Sequence, residues 1–292
     1  MGARARGARD GRPPAAPESE TLMAETQKNQ TPHAAPPPPA VHARRVALGR
    51  LAPLALACLC VLSFAAAAEA QQKFSKTYRP ARRSVRLQLT NLSGTVEVEG
   101  WDRGEIRVVA EMESPAAKFV PVQSDDGLVI DVVSAARGRS GVGDVNFRIS
   151  VPEDATVDVE TRRGNISVRN VRGALVRAVV TTEGDIDLTS LRADRVLASN
   201  ISGNILFDAD LKSGGSYDLR SMQGDISVRL GGGSGFTLTA VAPRTRNINL
   251  GGFASRGQFD FSDHRKIKGT VGDGSATLNT TNMRGSIVFV SR

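Results

Sequence analysis

A five-residue motif recurs along the second half of the chain at a nearly constant spacing. Each copy has a glycine, usually an Asn or Asp, an isoleucine and, two residues later, a second apolar residue. Four regular copies begin at Gly164, Gly184, Gly203 and Gly224, with successive glycines 20, 19 and 21 residues apart. A repeat of about twenty residues indicates a stack of similar units, because one such unit is too small to bury its own apolar face.

Each copy predicts two short strands joined by a turn. Ile166 and Val168 flank a polar serine, and this alternation places the apolar pair on one face of a strand. The glycine supplies positive φ and the Asn or Asp tolerates the bend, so we interpret the motif as turn chemistry and not as a calcium site, whose acidic nonapeptide pattern is absent. Arg177 interrupts the apolar row seven residues before the glycine. The row five residues before it reads Val159, Val179, Ala198 and Leu219.

The repeat predicts an all-β fold, namely a β-solenoid or β-helix-like stack of two-strand repeats of about twenty residues, with a β-sandwich as the alternative. An early copy begins at Gly94 and a late one at Gly285, and residues 246–250 form a copy without its glycine. No segment after residue 84 has a helical period. We therefore assign residues 85–292 to one solenoid domain and residues 71–84 to a basic linker.

The first 70 residues predict export. Residues 1–45 are rich in Arg, Ala and Pro without hydrophobic periodicity, which predicts a disordered extension and suggests a start codon further downstream. Residues 46–70 predict a signal peptide, with basic residues before an apolar run over 51–68 and cleavage after Ala70. A membrane anchor is one alternative, because 18 apolar residues are at the lower limit for spanning a bilayer. A lipoprotein modified at Cys58 is the other.

Cleavage after Ala70 would leave little for catalysis. Both cysteines, Cys58 and Cys60, and two of the three histidines would be removed, which leaves His264. A catalytic triad, a zinc site and a disulfide each need more such groups than remain. The sequence therefore predicts no catalytic residue, no cofactor and no metal ion.

Arginines are the best candidates for binding. Several lie at predicted turns, so stacking would gather them along one edge, where they would attract acidic polysaccharide. An evenly charged surface is the alternative, since residues 71–292 contain 30 basic and 25 acidic residues. An envelope protein is another possible partner, whereas nucleic acid is not expected. Contact with a membrane would come only through an uncleaved signal peptide. The oligomeric state stays open. The candidate edge comprises Arg162, Arg163, Arg172, Arg192 and Arg220.

The order of these elements resembles a known family. Residues 151–161, which read Val-Pro-Glu-Asp-Ala-Thr-Val-Asp-Val-Glu-Thr, precede the Gly164 motif and the further Gly-Asp-Ile units. This pattern resembles the bacterial "putative adhesin" domain family of unknown function, exported proteins with a β-solenoid head. The resemblance covers about residues 85–292 and implies an extracytoplasmic β-rich domain without assigned site residues. The long N-terminal extension departs from the family pattern.

We therefore expect an exported, non-enzymatic, adhesin-like binding module of the bacterial envelope, located in the periplasm or at the cell surface. One alternative is a carbohydrate-active β-helix enzyme, in which stacked carboxylates would act in pairs. A second is an envelope structural protein that assembles through unpaired strands at the solenoid ends. The carboxylates that the enzyme would use are Asp185, Asp187 and Asp225, with Asp208 or Asp210 nearby.

Overall fold

The computed structural model describes residues 72–292 apart from 83, 114–116 and 135–142. The predicted extension, the signal peptide and the cleavage site after Ala70 lie outside the described residues. What is described consists mainly of β-strands, which confirms the all-β prediction. Within this part of the chain, no helix has the length and apolar character needed to cross a bilayer.

Twenty-two strands and one short 3₁₀ helix follow one another along the described residues. They are β1 (Gln72–Tyr78), β2 (Arg86–Ser93), β3 (Val96–Trp101), β4 (Ile106–Met112), β5 (Ala117–Phe119), β6 (Val122–Ser124), β7 (Gly127–Ser134), β8 (Val145–Pro152), β9 (Thr156–Arg163), β10 (Ile166–Arg169), β11 (Leu175–Glu183), β12 (Ile186–Leu191), β13 (Arg195–Ser202), β14 (Ile205–Ala209), β15 (Ser216–Gln223), β16 (Ile226–Leu230), β17 (Phe236–Val241), β18 (Ile248–Asn249), the 3₁₀ helix (Gly251–Phe253), β19 (Gly257–Asp263), β20 (Lys266–Val271), β21 (Ala276–Asn282) and β22 (Ile287–Ser291).

The strands form two sheets that enclose one apolar core. The first sheet has ten strands in the order β1-β4-β8-β3-β10-β12-β14-β16-β22-β18. The second has twelve, in the order β19-β20-β17-β21-β15-β13-β11-β9-β2-β7-β5, with β6 also paired to β7. Neighbouring strands in the middle of both sheets are parallel, because each repeat adds one strand to each sheet. The predicted β-solenoid is therefore confirmed.

Equivalent residues of successive repeats stack into interior rows. The isoleucine of each motif lies directly beside the isoleucine of the next one, and no member of the row exposes more than 1% of its surface. Val96 extends the row at one end. Such rows bury the apolar face that a single repeat would leave in water. The row comprises Val96, Ile166, Ile186, Ile205, Ile226 and Ile287.

The order of the repeats in space differs from their order in the chain at both ends. The pair β2–β3 lies between β7–β8 and β9–β10. The pair β21–β22 likewise lies between β15–β16 and β17–β18. Each of the copies that begin at Gly94 and Gly285 is thus followed by one further parallel strand pair, and antiparallel strands extend the sheets beyond that pair. Less regular strand pairs cover them, as expected of units that cap a repeat array.

Residues 72–78 form β1, although the sequence analysis assigns residues 71–84 to a linker. This strand pairs antiparallel with β4 and buries Tyr78. Phe74 packs edge-on against Phe119, with ring centroids 5.2 Å apart. Two apolar side chains among polar ones gave too weak an alternation to predict a strand, so only the tertiary contacts define it.

A shift of register in β11 corrects one interior row. The shift lies between Val180 and Glu183 and places one extra residue before the glycine. Ala178 is therefore the interior residue that pairs with the neighbouring repeats, and Val179 faces outward. Arg177 also faces outward, so it does not interrupt an interior apolar row.

The Arg177 guanidinium forms ion pairs of 2.7 Å with Asp158 and 2.9 Å with Glu160 on β9. Burial opposes its charge, but hydrogen bonds to these two carboxylates and their negative charge raise the pKa of Arg177 above its ordinary value. The charged side chain is thus held on the outer face of the second sheet by paired carboxylates.

Replacing an interior isoleucine by aspartate should unfold the neighbouring repeats. For Ile226→Asp or Ile186→Asp we expect a loss of more than about 4 kcal/mol, because an unpaired carboxylate would be buried. Thermal unfolding followed by circular dichroism measures the loss. Ser227→Asp, on the outward face of the same strand, is the matched control and should melt close to wild type. Wild-type melting of either isoleucine variant would disprove the interior row.

Candidate functional site

The glycines of the motif stack along one edge of the solenoid. We call this row of turns the ladder edge. All six glycines have positive φ, between 108° and 152°. A Cβ atom on Gly184 would lie 2.1 Å from the carbonyl oxygen of Gly164, and each later glycine meets its neighbour in the same way. Both constraints require glycine. The row comprises Gly94, Gly164, Gly184, Gly203, Gly224 and Gly285.

The residue after each glycine forms a ladder of hydrogen bonds. The Asn165 Oδ1 atom accepts a bond from the backbone N–H of Asp185, at 2.9 Å, and Asp185 Oδ1 accepts one from Asn204, at 2.6 Å. Asn204 Oδ1 then accepts from Asp225, at 2.9 Å, and Asp225 Oδ1 from Ser286, at 2.7 Å. Asn and Asp alternate, so the two carboxylates are two strand spacings apart, roughly 9–10 Å.

A second polar row lies inside the same edge, three residues before the glycines, and the sequence analysis missed it. The amide of Asn200 donates to the carbonyl of Gly184, at 3.3 Å, and that of Asn282 donates to Gly224, at 2.7 Å. These bonds satisfy carbonyl groups that the turn leaves unpaired. The sequence signal was a polar residue three positions before a glycine. The row comprises Asn91, Thr161, Asn200, Ser221 and Asn282, with Val180 in the bulged strand.

The absent side chains of the glycines leave a groove of ≈ 400 Å³ along the ladder edge. Arg163 and Glu183 line one side of it, and Asn165 and Asp185 line the other. Ladder bonds already engage the Oδ1 atoms of Asn165 and Asp185, so this groove is mainly a consequence of the turn structure.

The structure does not bring the five candidate arginines together. Arg162 and Arg163 end β9 at the ladder edge, whereas Arg172 and Arg192 lie in turns at the opposite ends of the strands. Arg220 lies on the outer face of the second sheet. Arg172 pairs with Glu153 at 3.0 Å, and Arg220 pairs with Asp218. The expectation of a single basic edge is therefore wrong, since these turns belong to different edges.

The candidate carboxylates are also dispersed. Asp185 and Asp225 belong to the ladder, and Asp187 lies on the outer face of the first sheet. Asp208 and Asp210 pair with the Arg292 guanidinium, at 3.0 and 2.7 Å.

His264 is exposed between β19 and β20. The residues that the structure describes include no group of three or more His, Cys, Asp or Glu arranged to hold a metal ion.

A cleft of ≈ 490 Å³ opens where the segment after β1, the β3–β4 turn and the β8–β9 turn meet. We call it the Trp101 cleft. Its apolar wall includes Pro80, Val85, Trp101 and Pro152. Its rim carries charges of both signs, from Arg82, Arg103, Asp102, Glu153 and Asp154. The sequence analysis did not single out Trp101, because the other two segments of the cleft are distant in the chain.

Several contacts fix the indole ring in this cleft. Trp101 ends β3 opposite Pro152, and its Nε1–H donates to the carbonyl of Glu105, at 2.9 Å. The backbone N–H of Glu153 donates to the Trp101 carbonyl, at 3.1 Å. The Arg103 guanidinium lies over the ring, 5.0 Å from its centroid, as in a cation–π contact. The ring is thus held between two turns with part of its surface accessible.

These features define a two-sheet β-solenoid with a ladder of turns along one edge and a cleft beside its single tryptophan. The chain belongs to the Toastrack DUF4097 family, whose model matches residues 84–242 and 132–285. The family match confirms the resemblance found in the sequence. No curated protein matches the chain.

Two solved structures are similar to part of the chain. One, described as a "putative cell adhesion protein" from Clostridium sporogenes, has 12% identity and a TM-score of 0.49, with 76% of this chain and 100% of that chain covered. The other, a "putative adhesin" from Bacteroides fragilis, has 9% identity and a TM-score of 0.27, with 76% and 99% covered. At such low similarity neither description transfers to this chain.

Replacing a ladder glycine by alanine should destabilise the fold. For Gly203→Ala, with φ of 126° and a Cβ position 2.3 Å from the Gly184 oxygen, we expect a loss on the order of 3 kcal/mol. Urea unfolding measures it. Gly233→Ala is the matched control, because nothing lies within 4 Å of its Cβ position and its φ is not positive. Equal stability of the two variants would show that the close stacking is not required.

The alternation of Asn and Asp in the ladder should matter for stability. Asn204→Asp keeps the acceptor oxygen but creates three adjacent carboxylates, which repel one another when ionised. We expect a loss of about 1 kcal/mol at pH 7. Protonation relieves the repulsion, so the loss should shrink as the pH falls below about 4.

Urea unfolding at pH 7 and pH 3.5 measures this difference. Asp225→Asn, which removes a charge and keeps an acceptor, is the control and should show no such loss. A deficit of Asn204→Asp that is the same at both pH values would rule out charge repulsion as its cause.

Proposed function

We propose that this protein is an exported, non-enzymatic binding module of the bacterial cell envelope, in the periplasm or at the cell surface. The observation that carries the proposal is that the candidate carboxylates form hydrogen bonds and ion pairs within the scaffold. Asp185 and Asp225 are acceptors in the ladder, and Asp208 and Asp210 hold Arg292. Carboxylates that could have served a catalytic pair thus stabilise the scaffold, and the Trp101 cleft supplies a concave surface for a ligand.

The scaffold suits binding because it is held rigid over its length. Backbone hydrogen bonds join each repeat to the next in both sheets, and the ladder adds side-chain bonds at one edge. A surface on such elements keeps its shape before the ligand arrives, so less conformational entropy is lost on binding.

Export is supported by the sequence that precedes the domain. An apolar run over residues 51–68 follows several basic residues and ends at Ala68-Glu69-Ala70, the pattern of a signal peptide. The portion after Ala70 contains no cysteine, so its folding does not depend on the redox state of the compartment.

Two alternatives have less support. An enzyme acting on glycosidic bonds would need two free carboxyl groups about 5–9.5 Å apart, facing one substrate. Asp185 and Asp225 are near the upper limit, but each already accepts a backbone hydrogen bond. Assembly through strand edges is discouraged at both ends of the first sheet. Lys73 and Lys76 lie on β1, and β18 has only two residues.

Export predicts a processed N-terminus. When the full-length chain is expressed in a Gram-negative bacterium, we expect an intact mass that corresponds to residues 71–292, and recovery from the periplasm or outer surface. Ala70→Leu should block processing, because the residue before the cleaved bond must be small. Unprocessed wild-type chain in the cytosol would contradict the export proposal.

Binding without turnover is the second expectation. The exported protein should bind an envelope fraction or an array of envelope polysaccharides without releasing products, and two salt concentrations should give similar affinity, because surface charges of both signs are interleaved. Product release would instead support the enzyme. Binding to acidic glycans that falls steeply with salt would restore a role for the arginines. Absence of binding to any envelope component would refute the proposed function.

A further inference from the structure

We propose that the Trp101 cleft binds an uncharged saccharide, with the indole ring as the platform on which a sugar ring stacks. This inference rests on the proposed function, since it assigns a ligand class to a binding module. It concerns a short oligosaccharide or the end of a longer chain. The cleft volume of ≈ 490 Å³ lies within the range of about 300–1,000 Å³ typical of small-ligand sites.

The wall of the cleft matches the apolar face of a sugar. Trp101 presents part of a flat and rigid ring, flanked by the half-buried Pro80 and by the buried Val85 and Pro152. A pyranose ring has faces made of C–H groups, which an indole ring can cover without loss of hydrogen bonds. The guanidinium now over the ring belongs to Arg103, an exposed turn residue whose side chain can move aside at small cost.

The rim of the cleft favours a ligand without net charge. Arg82 and Arg103 provide donors, and Asp102 and Asp154 provide acceptors. Glu153 is already paired with Arg172, at 3.0 Å. Two cations are thus balanced by two carboxylates, so neither an anionic nor a cationic ligand is strongly attracted. Hydroxyl groups both donate and accept hydrogen bonds, and sugars present several of them around an apolar ring.

The cleft is pre-formed although its three walls are distant in sequence. Hydrogen bonds join Trp101 to Glu105 and to Glu153, as described above. An ion pair of 3.2 Å between Arg79 and Glu105 ties the segment after β1 to the β3–β4 turn. The ladder-edge groove, in contrast, has no aromatic residue in its lining. Of these two recesses, the Trp101 cleft is the one with an aromatic surface; a third recess, of ≈ 580 Å³ beside β19 and β20, has Phe259 in its lining.

The single tryptophan makes the test specific. Because Trp101 is the only tryptophan in the chain, its fluorescence reports on this cleft alone. We expect saturable changes in emission when the protein recovered after full-length expression is titrated with neutral disaccharides such as cellobiose, maltose and diacetylchitobiose. At least one should bind, with an affinity that changes less than twofold between low and high salt. Preference of more than tenfold for uronic-acid disaccharides would overturn the assignment to uncharged sugars.

Variants separate stacking from folding. Trp101→Ala should weaken binding at least tenfold, as measured by isothermal titration calorimetry, whereas Trp101→Phe should retain part of the affinity because it keeps an aromatic face. Circular dichroism should show both variants folded. Met222→Ala, on an exposed residue at the ladder edge, is the matched control and should bind like wild type. A folded Trp101→Ala variant with wild-type affinity would refute the stacking site.

Failure of this inference is distinguishable from failure of the proposed function. If the wild type and the Trp101→Ala variant bind the envelope fraction equally and no neutral disaccharide changes the fluorescence, the saccharide site is refuted and the binding module stands. If neither protein binds the fraction or any disaccharide, both proposals are refuted. Binding of a proline-rich peptide in the cleft, with no response to sugars, would also refute the saccharide assignment.

Discussion

The close approach of glycine backbones at the ladder edge is the constraint on which the rest of the structure depends. A Cβ atom at Gly184 or Gly224 would lie about 2 Å from the carbonyl oxygen of the neighbouring glycine. Because the turns from Gly164 to Gly285 stack so closely that a Cβ atom would not fit at the contact, the register of the strands beside them is fixed. The isoleucine two residues after each glycine then lies beside the isoleucine of the next repeat. The Asn or Asp after each glycine accepts a hydrogen bond from a backbone N–H of the next repeat. One steric condition thus aligns the core and the ladder together.

This arrangement also separates the scaffold from the proposed binding site. Polar side chains at the ladder edge are used to hold the turns, as the bonds of Asp185 and Asp225 illustrate. At the opposite ends of the strands, the described residues form backbone hydrogen bonds between repeats but no such side-chain ladder, and the turns differ in length and sequence. Strand β3 shows the contrast, since it begins beside Gly94 at the ladder edge and ends at Trp101 in the cleft. The regular edge stabilises the scaffold, and the irregular edge forms the cleft that we propose as the binding site.

Much of the core was predictable, because it depends on local pattern. The alternation around Ile166 and the recurrence of its glycine identified the interior row and the turns without further information. Val179 was wrongly assigned to an interior row, because one extra residue lies between it and Gly184. The position of that extra residue becomes clear only when the strand is aligned with its neighbours in the sheet. Asn200 and its equivalents were missed for a related reason. The amides of Asn200 and Asn282 bond to the backbone of another repeat, which a single repeat does not contain.

The sequence by itself determined what one repeat looks like: two strands, an apolar interior face and a turn that favours glycine. Tertiary structure alone decided the order of the repeats. The motifs at Gly94 and Gly285 have the same sequence pattern as the other copies. Period-two alternation carries no information about which strand lies beside which. Backbone pairing across the whole stack places the Gly94 copy inside β7–β8 and the Gly285 copy inside β17–β18. The same packing of the repeats places the candidate arginines at different edges and brings residues 80, 101 and 152 together around one cleft.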